Sequence, residues 1–150
     1  MYRFKENIID KKEIMNKEEI KKILPHREPM LLVDSMEKEG EYVNAYYHVT
    51  GEEYFLKGHY PNNPVVPGVI LCEIMGQSSA LLVQDLLEGR TPYYTGLDGV
   101  KFKKMVHPGD TVKVRAHVTG GHGLLVVVGA EAYVNDELCA KGSLTFMMIG

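Results

Sequence analysis

The feature that most constrains this chain is a stretch of about twenty residues, 69–88, that is apolar on nearly every side of a helix. Ile70, Leu71, Ile74, Met75, Leu81, Leu82, Val83, Leu86 and Leu87 leave no broad face for water, so the pattern predicts one long buried helix. Gly89 supplies its stop. What encloses such a helix is written in the segments around it. Over residues 111–119, Val112, Val114, Ala116 and Val118 alternate with Lys113, Arg115 and His117, the period of a half-buried strand. Val43, Ala45, Tyr47 and Val49 alternate in the same way with Tyr42, Asn44, Tyr46 and His48. Further strands are expected at 30–33, 93–102, 124–134 and 138–149, the last two joined by an Asn135-Asp136 turn. Near the start, Asn16 and Glu19 have the spacing of a capping box, opening a short helix that carries Ile20, Ile23 and Leu24 and ends by Pro25. The sum is an α+β fold, an antiparallel sheet of five to six strands wrapped around one long central helix. Residues 1–150 are expected to form a single domain, with about the first fifteen as a loosely attached arm.

Chemistry concentrates where the loop of residues 58–68 runs into that helix. Pro61, Pro64 and Pro67 fix three φ angles and remove three amide donors, so the loop loses little entropy on ordering and can hold His59 in one place. Gly68 falls at the helix start, where free amides and the positive end of the dipole suit developing negative charge. Glu73 lies in the second turn of a helix otherwise built for burial, where an unpaired carboxylate is costly. Gln77 stands four residues on and Gln84 eleven, close to the same face, so a narrow polar stripe is expected along an apolar helix. A structural histidine or a surface glutamate explains either residue alone; the two flanking a Pro-Gly anion site point to a functional site.

Other classes are disfavoured. A formal charge of −3 over 150 residues argues against a general nucleic-acid binder. No apolar run approaches the ~20 residues that span a bilayer, and the first residues lack the apolar core of an export signal. Cys72 and Cys139 have no CxxC spacing and read as buried reduced thiols, so a cytoplasmic protein is expected. His26, His48, His107, His117 and His122 are not spaced as metal ligands, and His26 is read as part of a structural turn. Residues 76–80 miss the nucleophile elbow: the second glycine is absent and Ser78 sits inside a helix, so Ser78 and Ser79 are read as packing residues. Residues 120–123 are read as a hairpin turn.

Several blocks, in order, carry a resemblance. They are Leu24-Pro-His-Arg27 with Pro29 and Leu31-Leu-Val-Asp34; Gly58-His-Tyr-Pro61; Pro64-Val-Val-Pro-Gly-Val69; Glu73-Ile-Met-Gly-Gln77; and Val100-Lys-Phe-Lys103 with His107-Pro-Gly-Asp110. Together they resemble the 3-hydroxyacyl-acyl-carrier-protein dehydratases (FabZ-type) of bacterial fatty-acid synthesis, from about Leu24 to the C-terminus. The resemblance implies a hot-dog fold and dimers, often trimers of dimers, with each acyl tunnel at a dimer interface. It implies His59 from one protomer, Glu73 from its neighbour, and an acyl carrier protein as the partner that bears the substrate. Three departures are visible: Glu28 replaces an apolar or aromatic residue, Gly76 replaces the usual alanine, and Asn62-Asn63 replaces a pair that commonly begins with glycine. None touches His59, Gly68 or Glu73, but tunnel shape and chain-length preference are left open.

The resemblance also implies roles. His59 would remove the C2 proton of a 3-hydroxyacyl thioester. Gly68, Val69 and Gln77 are the expected oxyanion and substrate-binding positions. Glu73 would protonate the leaving hydroxyl if the apolar tunnel raises its pKa, or else position the water. No metal or organic cofactor is required. Lys101, Lys103 and Lys104 form an expected basic rim for the acidic carrier. Rival readings are a dehydratase that also isomerises the product to the cis-3 enoyl chain, a hot-dog thioesterase, and a non-catalytic acyl-thioester-binding module of the same fold.

Overall fold

A computed structural model describes residues 14–150. Seven strands form one antiparallel sheet: β1 (Ile14–Asn16), β2 (Ser35–Glu39), β3 (Tyr42–His48), β4 (Thr91–Phe102), β5 (Thr111–His122), β6 (Leu125–Val134) and β7 (Glu137–Ile149). Their order in the sheet is β1-β2-β3-β5-β6-β7-β4. The helices are α1 (Lys17–Ile20), α2 (Gly68–Ser78) and α3 (Gln84–Leu87), with 3₁₀ turns at Tyr54–Leu56 and Ala80–Val83. The sheet curls around α2, as expected for the hot-dog fold, with one or two strands more than the sequence suggested. Residues 14 and 15 pair with β2; the remainder of the expected arm lies outside the described residues.

The alternating strands bury the side their pattern specifies. Val112, Val114 and Ala116 of β5 meet Val43 and Ala45 of β3 and Val126, Val128, Ala130 and Ala132 of β6 in one core beneath Ile74 and Met75 of α2. Val118 departs from the expected pattern: it is exposed, next to a register shift between Val118 and Gly120. The β6–β7 turn is as expected, with Asn135 at φ 48° and Asp136 at φ 64°, both in the left-handed region such a hairpin needs. The expected turn at residues 120–123 is instead the end of β5, and the chain reverses at Gly123-Leu124.

Two elements differ from expectation, each for a local reason. The single long helix over 69–88 is not formed: α2 stops at Ser78, and the chain from Ala80 to Leu87 bends from it by 43°. At the break, the Ser78 hydroxyl donates to the Ile74 carbonyl at 2.6 Å and the Ser79 hydroxyl to Met75 at 3.0 Å. Back-bonding of this kind competes with the amide ladder and bends helices. The expected strand at 30–33 is also absent. Leu31, Leu32 and Val33 are buried, but the Leu32 amide donates to Gln77 Oε1 (2.7 Å) and the Met30 carbonyl accepts from Gln77 Nε2 (2.7 Å). A side-chain amide thus takes the bonds a neighbouring strand would have supplied. Pairing begins two residues later, at Ser35.

The capping box at Asn16 and Glu19 is present, with both reciprocal bonds, although α1 lasts only one turn. Among the described residues no single helix is long and apolar enough to cross a membrane; only the bent pair over Gly68–Ser78 and Ala80–Leu87 passes by length and composition, and much of it is core.

Candidate active site

Glu73 lines a cavity of about 50 Å³ beside α2, together with His26, Gln77, Gly76, Tyr94, Val83 and Leu87. Gln77 is buried and donates to Glu73 Oε2 at 2.8 Å, while its other bonds clamp it to residues 30 and 32. His26 Nε2 lies 3.4 Å from the same oxygen. Burial pushes the Glu73 carboxyl up, but the hydrogen bonds from His26 and Gln77 and the attraction of His26 outweigh it and hold the group below the ordinary carboxylate range. The raised carboxyl on which an acid role was conditional is therefore not found in this chain. Gln84 is exposed on α3 and leaves the expected polar stripe, because the bend at Ser79 turns that helix away.

Sequence reasoning read His26 as a turn residue and missed its place beside Glu73. Arg27 fixes the segment by donating to the carbonyls of Lys21 (3.0 Å), Leu24 (2.9 Å) and His26 (2.7 Å). With Glu73 at Nε2, that nitrogen carries a proton. Nδ1 is buried and has no partner among the described residues. The available signal was the block Leu24-Pro-His-Arg27, nearly fifty residues before Glu73 in the chain.

His59 lies elsewhere, in an open groove with Val65, Pro67, Gly68, Leu71, Phe102, Lys103 and Lys104. Its Nδ1 is 3.1 Å from the Val65 carbonyl, an acceptor that requires the proton on Nδ1 and leaves Nε2 with a free lone pair. Gly58 at φ 83° and Tyr60 at φ 54° bracket it, so the chain turns sharply on either side of the imidazole. Gly68 opens α2 beside it, and any Cβ there would come within 3.0 Å of the Phe102 ring. Val69 is 76% exposed and lines neither the Glu73 cavity nor the His59 groove. Lys103 and Lys104 stand at the rim of the His59 groove, with Lys104 paired to Glu137; Lys101, opposite Lys141 on β7, does not line it. Among the described residues no group of three or more His, Cys, Asp or Glu side chains is placed to hold a metal ion.

A profile for the FabA-like domain matches residues 24–143. The chain is 42% identical over 136 residues to a 3-hydroxyacyl-[acyl-carrier-protein] dehydratase FabZ of Clostridium perfringens, covering 89% of this chain and 98% of that protein. The FabZ dehydratase of Oenococcus oeni is 43% identical over 135 residues, covering 83% and 97%. The chain belongs to the FabZ-type dehydratase family. Its fold is also that of the dehydratase heterocomplex ApeI:P from Xenorhabdus doucetiae, at a TM-score of 0.75, 15% identity, and coverage of 87% and 91%. At that identity the likeness concerns the fold alone.

Proposed function

We infer that this protein dehydrates 3-hydroxyacyl chains on acyl carrier protein to trans-2-enoyl chains in fatty-acid synthesis, at a site completed by a second copy. The observation that carries the composite site is the separation of His59 and Glu73 into different cavities of one chain. The surface between them suits a second copy. Phe102 and Met105 are exposed apolar side chains on the His59 groove, Val69 is exposed next to Gly68, and β4 is an edge strand that exposes Tyr93 and Leu97. A two-fold partner would bring its own Glu73 to this His59, and each dimer would hold two sites.

In this reading His59 Nε2 takes the C2 proton, since Nδ1 is committed to Val65. The amides at the start of α2, at Gly68 and Val69, hold the thioester oxygen while negative charge builds on it. Departure of the C3 hydroxyl then needs a proton, and the imidazolium formed at His59 returns the one it took. The carbon–oxygen bond breaks, the C2–C3 double bond forms, and the hydroxyl leaves as water. Glu73, an ionised carboxylate gripped by Gln77 and His26, accepts a hydrogen bond from the hydroxyl and orients it. No cofactor enters these steps. Lys103 and Lys104, at the lip of the groove, are placed to meet the acidic carrier, with Lys101 on the adjoining strand. The two free, buried cysteines fit a reducing cytoplasm.

The test is turnover of (3R)-3-hydroxybutyryl-carrier protein by wild type and His59→Ala, with products resolved by double-bond position. Only trans-2 product from wild type, reduced by at least ~10²-fold in the variant, is expected. Cis-3 product would move the protein to the isomerising branch, and tight binding with no turnover would make it a binding module.

A further inference from the structure

One contact in the cavity beneath α2 is set by an unusual pairing of side chains. The Tyr94 ring stacks on Phe146, with centroids 4.6 Å apart, and its hydroxyl donates to the Cys72 carbonyl at 2.5 Å. That reach requires Gly76. A Cβ there would fall on the Tyr94 hydroxyl oxygen, lie 2.8 Å from its Cζ and 3.3 Å from the Phe146 ring. Tyr94 as a residue is 36% exposed, yet its hydroxyl end is enclosed against the helix, and burial pushes that phenol far up.

The position along the cavity matters more than the bond. Cys72 and Gly76 flank Glu73 on α2, and Gly76 lines the cavity together with Glu73, His26 and Gln77. Val83, Leu87, Pro92 and Met148 add apolar side chains to the same lining. Gly76 follows Glu73 by about one turn of α2 and precedes Val83 and Leu87 along the chain, so an alkyl chain running from a C3 atom at Glu73 toward Leu87 meets the Tyr94 hydroxyl seated there. With the ring in place, the cavity measures about 50 Å³, small beside the roughly 300–1,000 Å³ of pockets that enclose a whole small-molecule ligand.

The geometry points to Tyr94, seated over Gly76, as the stop that limits the length of the acyl chain, so that the enzyme works on short 3-hydroxyacyl chains. This rests on the dehydratase reading and adds the substrate class to it. Three constraints hold the stop: a hydrogen bond to a helix carbonyl, a stacked neighbour, and a glycine that leaves the seat free. Ring rotation out of the way would forfeit the first two together.

The experiment compares kcat/KM for 3-hydroxybutyryl- and 3-hydroxydecanoyl-carrier protein in wild type, Tyr94→Phe, Tyr94→Ala and Gly76→Ala. Wild type is expected to favour the four-carbon chain by at least about tenfold, the scale on which a pocket discriminates methylenes. Tyr94→Ala should cut that ratio by about tenfold or more, by removing the ring. Gly76→Ala should cut it too, because the added methyl evicts the hydroxyl from its seat; Tyr94→Phe, which loses the anchor alone, should cut it by about threefold. Equal use of both chains by wild type, or a ratio in Tyr94→Ala within about twofold of wild type, would overturn the stop while leaving the dehydratase reading intact. Should Tyr94→Ala fail to fold, an unchanged ratio in both Tyr94→Phe and Gly76→Ala overturns it equally. Turnover of the ten-carbon chain alone also overturns the stop; absence of turnover of both chains in wild type sinks the dehydratase reading itself, and this inference with it.

Discussion

Two donors, His26 and Gln77, share one oxygen of Glu73, and their effect on that carboxylate is open to direct test. His26→Ala removes a hydrogen bond and an attraction that oppose burial, so the Glu73 pKa should rise. If the ionised form is the working one, the acidic limb of the kcat/KM profile moves to higher pH in the variant. A limb that stays in place would show that His26 serves the fold only. Gln77→Leu leaves the Met30 carbonyl and Leu32 amide without their partner. Buried groups abandoned in this way cost about 1–3 kcal/mol each, and a loss of roughly 2–3 kcal/mol is expected by urea denaturation. The Glu73–Gln77 pair was legible because i and i+4 on a helix are neighbours whatever the fold. His26 was not, since only the folded chain brings residue 26 against residue 73.

At the scale of elements, patterns repeated along a segment were legible and competitions between side chain and backbone were not. β5 and the β6–β7 hairpin follow alternation and turn chemistry that need no tertiary knowledge. The break at Ser79 and the missing strand at residues 30–33 depend on where three polar side chains send their bonds. The segment just before the His59 loop has a similar anchor. Glu53 accepts from the Tyr47 hydroxyl at 2.7 Å and from the amides of Thr50 (2.9 Å) and Gly51 (2.8 Å). Burial works against its ionisation, but these donors outweigh it and hold the carboxyl at about 2, against 4.5 for the free group. A carboxyl depressed in the fold contributes stability that is complete above its unfolded pKa and disappears as pH falls through its folded one. The Tm advantage of wild type over Glu53→Gln should therefore be flat above about pH 5 and shrink toward nothing near pH 2. A gap that persists undiminished at pH 2 would place the stabilisation in packing instead.

At the scale of the whole molecule, the sheet, the buried helix and the family were legible from order and pattern, and the placing of His59 and Glu73 in separate cavities follows from the fold. His59 and Gly68 face one groove; Glu73, Gln77 and His26 face another. Sequence spacing alone cannot reveal this, because residues fourteen apart can be adjacent or remote according to how the loop enters the helix. The most direct test is complementation between His59→Ala and Glu73→Gln chains, unfolded together, refolded at equal ratio and assayed on 3-hydroxybutyryl-carrier protein. Each homodimer should be nearly inactive. Mixed dimers hold one site with both residues intact, so roughly a quarter of wild-type turnover is expected for random pairing of two-fold dimers. A mixture no more active than its two components, with mixed dimers present by mass spectrometry, would contradict a site shared between copies.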